Sequence, residues 1–267
     1  MPSTLKNNSN KKPKIKLDEE KPLISIITVV YNGEKEIEET IQSVINQTYE
    51  NIEYIILDGA SKDGTVACIK KHEKNIDYWK SEKDKGIYDA MNKAIDLATG
   101  EWINFMNAGD RFAGNNVLEE IFDTENMENY DFIYGEHIWK GLDDKEHLVK
   151  TKPLSQMWQR ISFCHQSLFT KTKLMQEKKF DLSYKIVCDY QHYFSSYNEG
   201  KLFHKVNFPI SVFSAGGFSD INFFKRTKER YSVVKQYKNN LEMKKYYFNL
   251  VKTYYMNKVK QRIFNAK

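Results

Sequence analysis

Cysteine is scarce in this chain of 267 residues, and the three that occur, Cys68, Cys164 and Cys188, are odd in number and unevenly spaced. Such a set matches neither a disulfide framework nor a recurrent zinc-site spacing, so reduced, buried thiols in a cytoplasmic protein are expected. No run of 18 apolar residues occurs, and no membrane-spanning helix is expected. The N-terminus carries no apolar stretch of the kind a secretory signal needs. A dinucleotide fingerprint is missing as well. After the first apolar run the chain reads TVVYNGEKE (Thr28 to Glu36), which is neither G-x-G-x-x-G nor a glycine-rich, basic phosphate loop. That sets aside NAD enzymes and sugar nucleotidyltransferases. No repeat of solenoid period is found.

Apolar residues make up 40% of the chain and aromatics 14%, ample to bury a core. The total charge of +5 is modest but unevenly placed. Residues 222–267 hold 13 Lys and Arg against 2 Glu, a net of +11, which leaves −6 for the rest. Such asymmetry points to a tail that meets an anionic partner. A nucleic-acid partner is not expected, because no binding module accompanies the basic residues.

Residues 1–21 are polar and charged, with Leu5, Ile15 and Leu17 their only large aliphatics. They are expected to form a disordered arm. Order is expected to begin at Pro22. Leu23–Tyr31 is short, β-branched and almost wholly apolar, the mark of a strand covered on both faces in a parallel sheet. Asn32-Gly33 ends it, and Ile37, Ile41, Val44 and Ile45 give a helix one apolar stripe. The alternation repeats. Strands are predicted at Ile52–Leu57, Ile76–Trp79 and Trp102–Met106, with helices from Asp63 to His72 and from Gly86 to Ala98. This is the rhythm of a Rossmann-like α/β fold with a doubly wound, mostly parallel sheet flanked by helices. Ligands bind such sheets at the carboxyl ends of the strands. Here three of those exits are polar loops, at Asn32, Asp58 and Asp110. Beyond residue 125 the pattern loosens. Strands are predicted at Asp131–Tyr134, Ser167–Phe169 and Val206–Ser214, a hairpin over Gly135–Pro153, a helix over Ser183–Asn198, and two helices in the basic tail.

The strings PLISIITVVYNGEKEIEETIQSVINQTYENIEYIILDGASKDGT and DKGIYDAMNKAIDLATGEWINFMNAGD resemble the opening motifs of the family 2 glycosyltransferases, in their bacterial polysaccharide-building branch. The resemblance spans roughly residues 22–220 and rests on several motifs in order. It implies a GT-A domain over 22–220, a basic helical extension over 221–267, and an inverting transfer of a sugar from a nucleotide diphosphate, UDP above all. The implied acceptor is a glycan or a polyprenyl-diphosphate-linked oligosaccharide. The alternative is a nucleotide-sugar-binding or glycan-binding protein on the same fold whose acid motif has degenerated.

A leaving diphosphate calls for Mn²⁺ or Mg²⁺, which prefer carboxylate oxygens and substrate phosphates. Asp110, at a strand exit, is the implied metal ligand, although relatives carry more acids where this chain has Asn107 and Gly109. Asp58 is implied to hold the nucleobase or ribose, with Thr28, Val30 and Asn32 lining that pocket. Lys85 and Asp89, at a helix start suited to phosphate, and Asn92 one turn in, are implied on the donor side. Phe180–Tyr190 resembles the segment that brings the catalytic base. There Asp189 is the chosen base and Asp181 its competitor. Cys164-His165-Gln166 resembles a motif on the acceptor or sugar side, and Gly216–Ser219 a loop that closes over the donor. The tail interleaves ten aromatics, from Phe223 to Phe264, with its cations. That suits a helix at an anionic membrane surface, the alternatives being a helical pair that packs its aromatics onto the catalytic domain with the lysines in water, and a dimer contact. The tail is expected to be separable from the catalytic domain.

Overall fold

The computed structural model describes residues 21–123, 127–214 and 223–264, with side-chain surroundings given as far as residue 257. The arm and the Gly216–Ser219 loop therefore lie outside the described residues. Contacts divide the chain into two compact units. One contains 1–151, 163–180 and 201–215, and the other 152–162, 181–200 and 216–267.

The first unit is built on a nine-stranded sheet. Strands β1 (Ile24–Val30), β2 (Ile52–Asp58) and β3 (Tyr78–Ser81) and, on the other side of β1, β4 (Trp102–Phe105) run parallel. Every residue of β1 and β2 is buried, as continuous β-branched runs require when helices cover both faces. Their side chains alternate. Ile24, Ile26 and Val30, with Ile52, Tyr54 and Ile56, join one core with α1 (Ile37–Ile45), α2 (Thr65–Lys71) and α4 (Val117–Phe122). The alternate residues Ile27 and Ile55 are equally buried, and α3 (Ile87–Leu97) packs on β1 and β2.

Past β4 the sheet changes direction. The two-residue β5 (Arg111–Phe112) sits at the far edge, and β6 (Phe132–Lys140) forms a hairpin with β7 (Glu146–Val149). Strand β8 (Leu168–Lys171) runs antiparallel to both β4 and β6, and α5 (Thr172–Glu177) follows it. Strand β9 (Phe203–Ser214) lies parallel to β6 and antiparallel to β5. The order β3-β2-β1-β4-β8-β6-β9-β5 is thus the mixed sheet flanked by helices that the sequence leads one to expect.

Two element boundaries move for local reasons. The third strand starts at Tyr78, not Ile76, because a 3₁₀ turn at Glu73–Asn75 precedes it and Asp77 pairs with Tyr54 through backbone and side chain. The helix predicted from Ser183 begins at Cys188 (α6, Cys188–Asn198). An Asx turn takes the Ser183 amide to Asp181 Oδ1, and the amides of Lys185, Ile186 and Val187 go to Glu229.

The second unit comprises residues 152–162, α6, α7 (Phe223–Tyr237) and α8 (Leu241–Phe264). Val233, Val234, Met243 and Tyr247 are buried. Tyr246 and Tyr247 donate to the carbonyls of Gln159 and Trp158, and Arg230 to that of Gln159. The tail is therefore the packing partner of 152–162 and α6, and the chain does not divide at residue 220.

Candidate active site

The exits of β1 and β2 are laced together. Asp58 is in register with Val30, and its buried carboxylate accepts from the Ser61 amide (3.0 Å), the Ser61 hydroxyl and the Ser81 hydroxyl (2.5 Å). Asn32 takes a left-handed backbone (φ 50°), which Asn tolerates better than most residues. Its Oδ1 accepts from the Lys62 amide at 2.9 Å, while its own amide donates to Ser61 Oγ at 2.7 Å. The amides of Gly33 and Glu34 reach Thr65 and Asp63. Asp58 and Asn32 thus hold three strand exits in one frame.

Thr28, expected to line the base pocket, is fully buried, and its hydroxyl is shared between Tyr54 Oη and the Met106 carbonyl (3.0 and 2.7 Å). Val30 is buried in the same core. Asn92, expected on the donor side, spends its side-chain amide on the backbone of Phe180, which it clamps from both sides at 2.9 and 3.0 Å. Asp89 reaches back to the Lys85 amide (3.0 Å) and faces Lys93 (3.4 Å). Those two partners hold its carboxyl below the usual range, as a first-turn acid in α3. Lys85 itself is exposed.

Two neighbours went unread in the sequence. Tyr31, the residue between Val30 and Asn32, is 64% exposed, and Asp84 follows β3. A Cβ on Gly59 would lie 2.7 Å from Asp84 Oδ2 and 3.3 Å from Tyr31 Cδ2. The absence of a side chain at Gly59 is what lets that carboxylate and that ring sit side by side. The available signal was a large aromatic just past a buried strand, directly before the Asn-Gly break.

The second focus is the turn Asn107–Asp110. Gly109 has φ 96°, a conformation only glycine adopts readily. Thr40 of α1 clamps the turn: its hydroxyl accepts from the Gly109 amide (3.1 Å) and donates to the Asp110 carbonyl (2.7 Å). Thr40 is the polar interruption in α1's apolar stripe, and that was its signal. The Asp110 carboxylate is only 6% exposed. It accepts from the Ser214 amide (3.1 Å) and from Gln166 Nε2 (2.7 Å). Burial pushes its pKa up to about 7, against the lowering effect of those two donors. Gln166, expected on the acceptor or sugar side, donates its amide to Asp110, and its Oε1 accepts from the Cys164 thiol. His165 stacks on Phe105 with ring centroids 5.3 Å apart.

A divalent cation fits this turn. Asn107 Oδ1 is buried and accepts no hydrogen bond, an acceptor that a cation would satisfy. Three residues on in the same turn stands one carboxylate, that of Asp110. Two oxygen ligands with the remainder from diphosphate and water is a usual arrangement for Mg²⁺ and Mn²⁺.

In the second unit, Asp189 occupies the first turn of α6 and is half-buried. The amides of Lys185, Ile186 and Val187, which precede the helix, are taken by Glu229 of α7, at 2.9–3.3 Å. Asp181 is exposed and tied up in its Asx turn.

Parallel strands ending in acid-bearing loops, continued by a mixed, antiparallel second half, are the architecture of the GT-A glycosyltransferases. The fold matches Staphylococcus aureus TarS residues 1–349, solved with UDP-GlcNAc, at a TM-score of 0.63 and 16% identity, covering 79% of this chain and 66% of that one. It also matches the mannosyltransferase PcManGT of Pyrobaculum calidifontis, solved with GDP-Man and Mn²⁺, at 0.62 and 15%, covering 82% and 65%. Identities this low bear on the fold alone.

The chain belongs to glycosyl transferase family 2, whose profile matches residues 25–202. An uncharacterized glycosyltransferase of Mycobacterium tuberculosis is 40% identical over 100 residues, which are 37% of this chain and 38% of that protein. The PGL/p-HBAD biosynthesis glycosyltransferase of Mycobacterium bovis is 28% identical over 182 residues, 63% of this chain and 67% of its own. Bacillus subtilis TuaG, named for teichuronic acid biosynthesis, is 34% identical over 104 residues, 38% of this chain and 41% of TuaG.

Proposed function

We propose that the chain transfers a sugar, with inversion, from a UDP-linked donor to a glycan or polyprenyl-diphosphate-linked acceptor in bacterial surface polysaccharide assembly. The observation that carries this reading is the chemistry at the carboxyl ends of β1 to β4: an exposed ring beside acids, and a glycine turn bearing one buried carboxylate. The named roles of the mycobacterial and Bacillus relatives and the donors bound by TarS and PcManGT support the class of substrate.

In this reading Tyr31 stacks on the nucleobase, and the Asp84 carboxylate accepts from its N–H or from ribose hydroxyls. Asp58 and Asn32 keep the two loops in place, and the exposed Lys85 meets phosphate. Asp110 and Asn107 Oδ1 hold Mn²⁺ or Mg²⁺, which neutralises charge on the departing diphosphate. Gln166 and the Ser214 amide fix the orientation of the Asp110 carboxylate, and His165 contributes on the sugar side. Asp189 takes the proton of the acceptor hydroxyl.

The tail is read as the attachment to the cytoplasmic face of an anionic membrane. No helix among the described residues is long and apolar enough to cross one. Its aromatics fall into two sets. Tyr246 and Tyr247 belong to packing, whereas Leu241, Phe248 and Tyr255 are exposed. Spaced by seven, these three share one face of α8 with Lys244 and Lys252.

A panel of nucleotide sugars tests the activity, by thermal shift and by metal-stimulated hydrolysis. One UDP-sugar should raise the melting temperature and be hydrolysed when Mn²⁺ or Mg²⁺ is present. A donor bound but turned over with no acceptor or water would favour the non-catalytic binding protein. Neither binding nor hydrolysis of any donor would remove the reading.

A further inference from the structure

Outside the candidate active site, three side chains of metal-ligating type converge where α1 meets α2. Cys68 and His72 are four residues apart, so they lie on one face of the helix, and Glu38 faces them from α1. The Cys68 thiol donates to Glu38 Oε2 at 3.0 Å, and His72 Nε2 lies 2.8 Å from Glu38 Oε1. Among the described residues this is the one trio of His, Cys, Asp or Glu whose ligating atoms all fall within 4.8 Å of one another. The cluster joins a buried thiol, a ring that is largely buried and a half-exposed carboxylate. It is closed on the protein side and open to solvent through Glu38.

We propose that Glu38, Cys68 and His72 form a binding site for Zn²⁺, with water as the fourth ligand. Thiolate, imidazole and carboxylate together suit a borderline-soft cation and disfavour Mg²⁺. Bonds of about 2.0–2.3 Å in a tetrahedron set ligand atoms about 3.3–3.8 Å apart. One ligand atom from each residue lies within 4.8 Å of the others, and since Cys68 and His72 now bond different oxygens of Glu38, a small adjustment of the half-exposed Glu38 side chain admits the ion. Binding releases the Cys68 thiol proton to solvent. Without an ion, burial and the Glu38 carboxylate push that thiol up to about 11. The spacing of the cysteines conceals the site, because only one of the three takes part and the third ligand comes from another helix.

The position gives the ion a consequence. One turn away, the loops entering α1 and α2 are already cross-bonded through Asn32, Gly33, Glu34, Ser61, Asp63 and Thr65. A zinc at the trio ties the same two helices together and so braces the frame around Asp58. It is a structural ion, distinct from the cation at Asp110.

The test uses the full chain stripped of metal and titrated with Zn²⁺ alone, followed by calorimetry and elemental analysis, with Co²⁺ as a spectroscopic probe. The expected result is one zinc per chain, a higher melting temperature, and a sulfur-to-cobalt charge-transfer band. Cys68→Ser removes the band, and His72→Ala weakens zinc binding at least about tenfold, while Asp110→Asn changes neither. His72 lies at the end of α2, so its variant remains foldable even if the core thiol proves hard to replace. No zinc uptake by the full chain, or uptake and a band unchanged in both variants, would overturn the proposal.

Discussion

At the scale of single residues, Asp110 carries the most testable chemistry. The folded protein keeps its proton up to about pH 7, whereas an unfolded chain releases it near about pH 4. Across that interval the native state binds more protons, so ionisation of Asp110 costs stability that increases as pH rises and is complete above about 7. His137, whose buried ring is lowered to about 4, has the opposite slope, since its stabilising effect is lost as pH falls. Comparing wild type with Asp110→Asn cancels that contribution. In EDTA, the melting temperature of the variant should gain on wild type from pH 4 to about 7 and then hold its lead. A difference that does not change with pH would mean that the carboxyl is not protonated as its burial implies. With metal and donor present, the same variant should lose at least about a hundredfold in transfer, given that such a cation is worth several kcal/mol. Near-normal turnover, or full wild-type activity in EDTA, would place the metal elsewhere.

Asp189→Asn belongs to the same scale. General-base assistance contributes on the order of 10²–10⁴ in rate, so transfer should fall by that factor while donor affinity stays close to wild type. Weak donor binding with normal turnover at saturation would instead make Asp189 a binding residue.

At the scale of elements, the link between α7 and α6 matters most. Glu229 gathers three backbone amides just before the first turn of α6. Leaving buried amides unsatisfied costs about 1–3 kcal/mol. Glu229→Ala should therefore lower the melting temperature measurably, and Glu229→Gln, which keeps an acceptor, by less. Since Asp189 is in that first turn, the alanine variant should also lose turnover at saturating donor. An alanine variant as stable and active as wild type would show that these bonds are dispensable. The elements also show where sequence reading works. Strands β1 and β2 declare themselves because an unbroken β-branched run has one stable environment. The direction of β8 and the pairing of the two-residue β5 depend on partners far away in the chain. The start of α6 moved because Glu229 removed the amides a longer helix would have used.

For the whole molecule, the packed side of the tail and the exposed stripe proposed to meet a membrane are separated by exposure. Deleting residues 221–267 would strip the packing partners from α6 and from 152–162, so truncation cannot isolate membrane binding. A point change on the exposed stripe can. Phe248→Ser should leave melting nearly unchanged and weaken binding to anionic vesicles at low salt, because this ring is exposed, whereas Tyr255 packs on Phe224 of α7. Each basic residue near such a surface adds about 1 kcal/mol at most, so attachment should weaken further as salt rises. Full-length protein that ignores anionic vesicles would end the membrane reading, and a concentration-dependent dimer broken by the same change would redirect it.

By itself the sequence determined the parallel half of the sheet, the class of fold and the loops where chemistry gathers, since hydrophobic period and turn residues act locally. Asp110 stood out only through the family motif around it, because a Gly-Asp turn by itself is an ordinary strand exit. The tertiary structure decided what each polar group spends its bonds on. Thr28 and Asn92 turned inward to partners 26 and 88 residues away, Gln166 became the partner of Asp110, and Thr40 clamped the turn from α1. Tyr31 and Asp84 met only because Gly59 lacks a side chain. Such pairings carry no period along the chain. They exist once packing has brought distant strands together and burial has made an unpaired polar atom too costly to leave.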